Sequence, residues 1–297
     1  MGKEIFDAYA CARQVFLEAD EALGFPLGEL CFLGPDDSLR LTQNTQPAIL
    51  TASIAILRVL QDRGAHPDYV AGHSLGEYSA LVCSGSLSLK DAVRAVRKRG
   101  QYMQEAVPTG RGAMAAVLGL DADAVRAACA AASSAGIVAP ANFNAPDQTV
   151  ISGVARAVQR ASEIARERGA KRVLPLPVSA PFHCDLMAPA RNRLAADLER
   201  LEFRDLAVPL VTNVDAAAVV EGRAARDSLI RQVCNPVRWV ESIRYLVERG
   251  VDRFVEVGPG KVLCGLVKKI APEVEVYGVE GIRGIEALAS ADAGATM

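Results

Sequence analysis

The chain has 297 residues, enough for one large domain or a large domain carrying a smaller one. It is 51% hydrophobic and 23% charged, as soluble globular proteins are, and a formal charge of −2 argues against nucleic acid as its main partner. No apolar run reaches the roughly 18 residues that span a bilayer, and the N-terminus lacks a signal-peptide plan. The seven scattered cysteines, without a Cys-x-x-Cys pair, suit reduced thiols in a cytoplasm better than disulfides or a zinc site.

In chain order, residues 3–23 are predicted as one helix, with Ile5, Phe6, Tyr9, Phe16 and Ala19 at near-helical spacing, broken by Gly24 and Pro26. A second helix follows Asn44, with Pro47 in its first turn and Ile49, Ala52, Ile56 and Leu60 on one face; Gly64 closes it. Tyr69-Val-Ala then reads as a short strand, Gly72-His-Ser-Leu-Gly76 as a Gly-x-Ser-x-Gly turn, and Leu75 to Cys83 as a helix. A serine between glycines at a strand-to-helix corner is forced into a tight turn that lifts its hydroxyl out of the sheet. The backbone amides that follow it open a helix and can hold an oxyanion, which makes Ser74 a candidate nucleophile.

Ser88-Leu-Lys-Asp91 is a capping-box-like start to a helix running to about Ala106. Within it Arg99 shares the apolar face of Ala92, Ala95, Val96 and Met103, while Arg94, Arg97, Lys98 and Gln101 take the wet face. A guanidinium pointing inward needs an anion. Spacing alone allows a snorkelling side chain, an internal ion pair, or a fork for a substrate carboxylate.

From Gly110 to about Pro177 the predicted order is strand (113–119), Ala-rich helix (121–133), strands (137–144 and 149–153), helix (154–169) and strand (171–176). That β-α-β-β-α-β order is a split-βαβ unit of ferredoxin-like type. It is inserted into a larger α/β unit that resumes with helix 187–201, strand 208–213, and helices 225–233 and 239–248. Strand 253–257, helix 261–270 and strand 274–279 complete it, with a frayed tail from Ala289. A mostly parallel sheet covered on both faces is expected, with residues 1–109 and 178–297 in the large subdomain and 110–177 in the small one. The Gly258-Pro-Gly260 turn lacks the phosphate-binding spacing and reads as a plain turn.

The chain has three histidines, so the search for a base is short. His66 precedes Pro67 in a loop and is expected to be exposed; His73 adjoins the serine and should point away from it. His183, in Val178-Ser-Ala-Pro-Phe-His-Cys184, sits where the inserted unit hands back to the main sheet, the kind of junction at which clefts form. No acidic residue stands out as a third member, so a dyad held by a backbone or amide carbonyl is possible. From sequence alone Gln232 is ordinary.

Taken together, Gly72-His-Ser-Leu-Gly-Glu-Tyr-Ser-Ala-Leu81, Arg99-Gly100, Gly112-Ala-Met-Ala-Ala116, Asn142-Phe-Asn-Ala-Pro146, Pro181-Phe-His183, Gln232 before Asn235-Pro-Val-Arg-Trp239, and Glu256-Val-Gly-Pro-Gly-Lys-Val-Leu263 resemble one family. These are the malonyl-CoA:acyl-carrier-protein transacylases of fatty-acid synthesis and the free-standing acyltransferases of polyketide synthesis. The resemblance implies an α/β-hydrolase-like large subdomain with a ferredoxin-like insert. It implies Ser74 as nucleophile, His183 as base, Arg99 as partner of the malonyl carboxylate and Leu75 N–H as an oxyanion donor. Gln232 falls where the family orients its site, Asn142 and Asn144 where the small subdomain faces the cleft, and Phe182 resembles malonyl-selective members. The partners implied are malonyl-CoA and an acyl carrier protein, with no cofactor or metal, coenzyme A thioester being a substrate.

Family members begin with an apolar strand ending in Gly-Gln-Gly-Ser-Gln, whose glutamine supplies a second oxyanion amide. The expectation is that this strand is missing ahead of Met1-Gly2-Lys3, through a misassigned start codon or a truncation. The rival expectations are an acyl hydrolase clearing carrier-protein thioesters, against which the retained Arg99 weighs, and an inactive truncated form.

Overall fold

A computed structural model of the chain describes residues 1–178 and 180–295, with side chains described as far as residue 291. The helix expected over 3–23 is two, α1 (Lys3–Ala8) and α2 (Ala10–Leu23), because Tyr9 between them is extended at φ −126° and ψ 125°. The break folds Phe6 back on Phe16, ring centroids 5.7 Å apart, and both rings pack against Phe32. Phe32 belongs to α3 (Leu27–Leu33), a stretch to which the sequence assigns no element: Asp20 Oδ1 accepts the Gly28 N–H at 2.9 Å and anchors its first turn. After α4 (Asp36–Arg40), α5 (Thr42–Asp62) starts before Asn44 and carries Pro47 inside it. It is buried along Ala48, Leu50, Ile54 and Val59, forming the spine of the main core. Then come β1 (Val70–Ala71), α6 (Gly76–Cys83) and α7 (Leu89–Glu105), where Ser88 Oγ accepts the Asp91 N–H at 3.0 Å, the cap read from the sequence.

The next six elements are β2 (Gly112–Leu118), α8 (Ala122–Ala131), β3 (Val138–Ala145), β4 (Gln148–Val154), α9 (Ala155–Glu167) and β5 (Arg172–Pro175). Their antiparallel order β3-β4-β2-β5 is that of a split βαβ unit. One face packs on α8 and α9 through Val117, Val125, Ile151, Val158 and Ile164. The other, with Met114, Ala116, Ala141 and Val150, packs against Leu176 and Phe182.

The chain then runs through α10 (Ala188–Leu198), β6 (Leu210–Val211), β7 (Ala218–Val219), α11 (Gly222–Gln232) and α12 (Trp239–Val247). It ends with β8 (Arg253–Val257), α13 (Val262–Ile270), β9 (Glu275–Val279) and α14 (Ile282–Ala295). The fold is α/β, as expected, with parallel pairs β1–β6 and β8–β9. Among the described residues these pairs are not hydrogen-bonded to each other. A tight return through Ala216, at φ 51°, brings β7 antiparallel onto β6. Residues 289–295, expected to fray, are helical because Ile285 and Leu288 bury α14 against the main core; 296 and 297 lie outside the described residues. No helix among the described residues is long and apolar enough to cross a membrane.

Candidate active site

The corner between β1 and α6 has no space to spare. A Cβ on Gly72 would lie 2.0 Å from the Gly76 carbonyl group, so only glycine lets the chain turn there. Ser74 sits at φ 52°, a left-handed conformation that costs a residue with a Cβ about 1–3 kcal/mol and persists only where its surroundings impose it. Asn213 imposes it. Its Oδ1 accepts the Ser74 N–H at 2.7 Å and its Nδ2 donates to Gly72 O at 2.7 Å, clamping the turn from both sides. The parallel register Ala71↔Val211 brings Asn213 alongside. Among the described residues the Leu75 N–H donates to no acceptor, which leaves it for an oxyanion.

Ser74 Oγ lies 2.7 Å from His183 Nε2, and His183 Nδ1 lies 2.9 Å from the carbonyl oxygen of Gln232. A carbonyl only accepts, so Nδ1 carries the proton, and the lone pair of Nε2 faces the hydroxyl. The group that orients the ring is thus a backbone carbonyl rather than a carboxylate. His183 is 4% exposed, and burial together with the Arg99 charge lowers its pKa to about 3 against the pull of the Gln232 bond. It is a neutral imidazole at physiological pH. Its loop can pass over β2 because Gly112 has no side chain: a Cβ there would meet the Pro181 ring at 2.4 Å.

Arg99 is 2% exposed and does point inward. The backbones of α5 and α7 touch at the next residue, where a Cβ on Gly100 would fall 2.6 Å from Gln43 Cα, and this contact sets Arg99 beside Gln46. Nη1 donates to Gln46 Oε1 at 2.7 Å; Nη2 donates to Gln232 Oε1 and to Ser74 Oγ, both at 3.0 Å. Among the described residues no carboxylate is in salt-bridge contact with Arg99, and its Nε has no partner. A desolvated cation held by neutral acceptors beside a serine hydroxyl can take a ligand carboxylate. Gln232 completes the group: its Nε2 donates to Ser74 O at 2.9 Å and to Glu77 Oε2 at 2.7 Å.

Of the residues named from the sequence and its resemblance, His183 and Arg99 meet at Ser74 Oγ, and Gln232 touches His183, Arg99 and the Ser74 backbone. The others stand further out. Asn144 Oδ1 is 2.8 Å from His73 Nε2, and the His73 ring packs edge-on to Trp239, facing away from Ser74 as expected. Asn142 is buried in a bridge between β3 and Val237, which ties the small sheet to the segment after Gln232. Phe182 packs between the main core and the outer face of the small sheet, and His66 is exposed. Gln46, Glu77 and Asn213 were not singled out by the sequence reading; only the folded structure brings them to the site.

The profile of the acyl transferase domain family matches residues 1–284. The chain belongs to this family. It is 51% identical over 264 residues to the malonyl CoA-acyl carrier protein transacylase of Escherichia coli strain K12, covering 89% of this chain and 85% of that one. Identity to the protein of the same name from Bacillus subtilis strain 168 is 49% over 287 residues, covering 96% and 90%. Among solved structures, a malonyl-transacylase in complex with its type II polyketide-synthase acyl-carrier protein superposes with a TM-score of 0.94 at 45% identity, covering 97% of this chain and 93% of that one.

Proposed function

We propose that the chain moves a malonyl group from coenzyme A to the phosphopantetheine thiol of an acyl carrier protein, through an acyl-enzyme on Ser74. One observation carries the proposal: a single hydroxyl oxygen is contacted at once by a neutral imidazole and by a buried guanidinium with no carboxylate partner among the described residues. The curated relatives bear the name of this activity, and a structural neighbour is held in complex with an acyl carrier protein. In the same reading residues 110–177 are the inserted small subdomain and 1–109 with 178–297 the large one. The setting is the cytoplasm, and the reaction needs no cofactor.

The chemistry follows from the contacts. The malonyl carboxylate takes the guanidinium of Arg99, which brings the thioester carbonyl to Ser74. Oγ attacks that carbon while His183 Nε2 accepts its proton, and the Leu75 N–H stabilises the oxyanion. Collapse expels the coenzyme A sulfur, which leaves with the proton from Nε2. The carrier thiol then gives its proton to Nε2 and attacks the ester, and Ser74 Oγ recovers the proton as it departs. Burial holds the pKa of His183 down and the Arg99 charge adds to it; the carboxylate offsets the second of these, so the base strengthens as the substrate arrives. An acyl group without a carboxylate leaves Arg99 unmatched, and a site built around a polar group rejects such analogues strongly.

Intact mass after brief exposure to malonyl-CoA tests the reading. A malonyl increment is expected on the wild-type chain, absent in Ser74→Ala, and discharged by holo acyl carrier protein. No increment, or discharge to water as fast as to the carrier, would refute it.

A further inference from the structure

Glu77 is a buried carboxylate that the reaction above does not use. It is 0% exposed and belongs to the first turn of α6, just past the nucleophile. Its three partners are all uncharged. Oε2 accepts from Gln232 Nε2 at 2.7 Å and from the Asn213 backbone N–H at 3.2 Å, and Oε1 accepts from Ser228 Oγ at 3.2 Å. Among the described residues it forms no salt bridge, and burial raises its pKa to about 7. A group this costly to bury is a poor packing element.

Resting on the reading above, we infer that Glu77 is a positioning residue: by accepting from Gln232 Nε2 it fixes which end of the Gln232 amide faces Arg99. The argument turns on what each atom can do. A backbone N–H only donates, and the one from Asn213 points at Oε2. That oxygen is therefore an acceptor in either protonation state, and a proton, when present, belongs on Oε1 toward Ser228. Gln232 must then present its NH₂ end to Glu77, and its carbonyl end is left for Arg99 Nη2, as observed. Reversing the amide would set an NH₂ against the guanidinium and a carbonyl against both Oε2 and the Ser74 carbonyl oxygen, three repulsive contacts at once. With the amide fixed, Nη2 is held between Gln232 Oε1 and Ser74 Oγ, and the fork stays set for the malonyl carboxylate. The same carboxylate joins the Asn213 clamp to α11, so the strained turn and the guanidinium share one support.

The test measures Ser74 acylation by malonyl-CoA and by acetyl-CoA in rapid-quench intact-mass experiments, for the wild type, Glu77→Ala, Glu77→Met and Glu77→Gln. Loss of the acceptor in Glu77→Ala or Glu77→Met is expected to lower malonyl acylation about tenfold to a hundredfold, as one hydrogen bond to a charged centre would. Acetyl acylation should fall far less, so the malonyl-to-acetyl ratio collapses. Glu77→Gln should restore most of that ratio, because its Oε1 can still accept from Gln232 and Asn213 while its Nε2 donates to Ser228. A merely structural role would lower both rates together and leave the ratio in place. An unchanged ratio in both Ala and Met variants, or no rescue by Gln, overturns the inference. So does a crystal structure of Glu77→Met with Gln232 and Arg99 unmoved, which serves even if the wild type proves not to acylate and the functional reading itself has failed.

Discussion

Replacing Arg99 by alanine should do opposite things to two substrates. In the proposed reaction with malonyl-CoA it removes a two-pronged, charge-assisted contact with the carboxylate. Each prong is worth about 1.5–3 kcal/mol, so kcat/KM should fall by roughly 10² to 10⁴. Acetyl-CoA has no such contact to lose. The substitution also takes a positive charge away from His183, to which Arg99 is linked through Ser74 Oγ by contacts of 3.0 and 2.7 Å. A unit charge roughly 6 Å away at an effective dielectric of about 20 amounts to about 3 kcal/mol, or about two pKa units. The base becomes stronger, and acetyl acylation should hold steady or rise up to about tenfold. Arg99→Lys separates the two effects: it keeps the charge and loses the planar fork, so malonyl acylation still drops while acetyl acylation stays near wild type. Rapid-quench mass spectrometry of Ser74 acylation, normalised to active sites, reads all four rates. Equal losses on both substrates in Arg99→Ala would refute the reasoning.

Four further outcomes are expected. The His183 ring should stay neutral down to about pH 5 in an NMR titration, with the proton on Nδ1; because its folded pKa of about 3 lies below the unfolded value, stability should fall as pH drops from about 6.5 toward 3, by up to about 5 kcal/mol. Glu77 has the opposite sign: its pKa of about 7 lies above the unfolded value, so its burial destabilises the fold increasingly as pH rises from about 4.5 to 7. Glu77→Gln should therefore gain up to about 3 kcal/mol at pH 8 and little at pH 4 in urea unfolding, and equal gains at both would contradict this. Asn213→Ala should cost about 1–3 kcal/mol and lower kcat more than it raises KM, since the turn at Ser74 loses the acceptor that holds it; an unchanged kcat would count against the clamp. Gly100→Ala should lower the melting temperature by several degrees, an overpacking cost of about 1–3 kcal/mol at the α5–α7 contact, and calorimetry checks it.

How much of this was legible in the sequence depended on whether a signal was local. Ser74 announced itself because strand, glycine-flanked turn and helix follow one another directly, and His183 because so few histidines competed with it. Arg99 stood out as a charge on an apolar helical face, although spacing could not say what it faced. Gln46, Glu77 and Asn213 gave no such sign: each is an ordinary polar residue whose role comes from partners distant in the chain, with Arg99 lying 53 positions from Gln46 and Asn213 lying 136 from Glu77. The errors in the fold have the same origin. Gly24 and Pro26 read as breakers with no helix assigned after them, yet the Asp20 carboxylate supplies the acceptor that lets α3 start. The small, polar tail of α14 reads as frayed, yet Ile285 and Leu288 anchor it, and tertiary packing overrides weak propensity.

The Arg99 contact with Ser74 has one more consequence. With a guanidinium N–H already on one lone pair of the hydroxyl oxygen, its hydrogen is steered to the imidazole, and the rotor is set before any reagent enters. That same contact draws electron density from the oxygen and dulls it toward stray electrophiles. In the proposed reaction an incoming carboxylate would compete for the guanidinium and, as it succeeded, unmask the lone pair beside the thioester carbonyl. On that reading the resting hydroxyl is latched, and the part of the reagent that is not consumed lifts the latch.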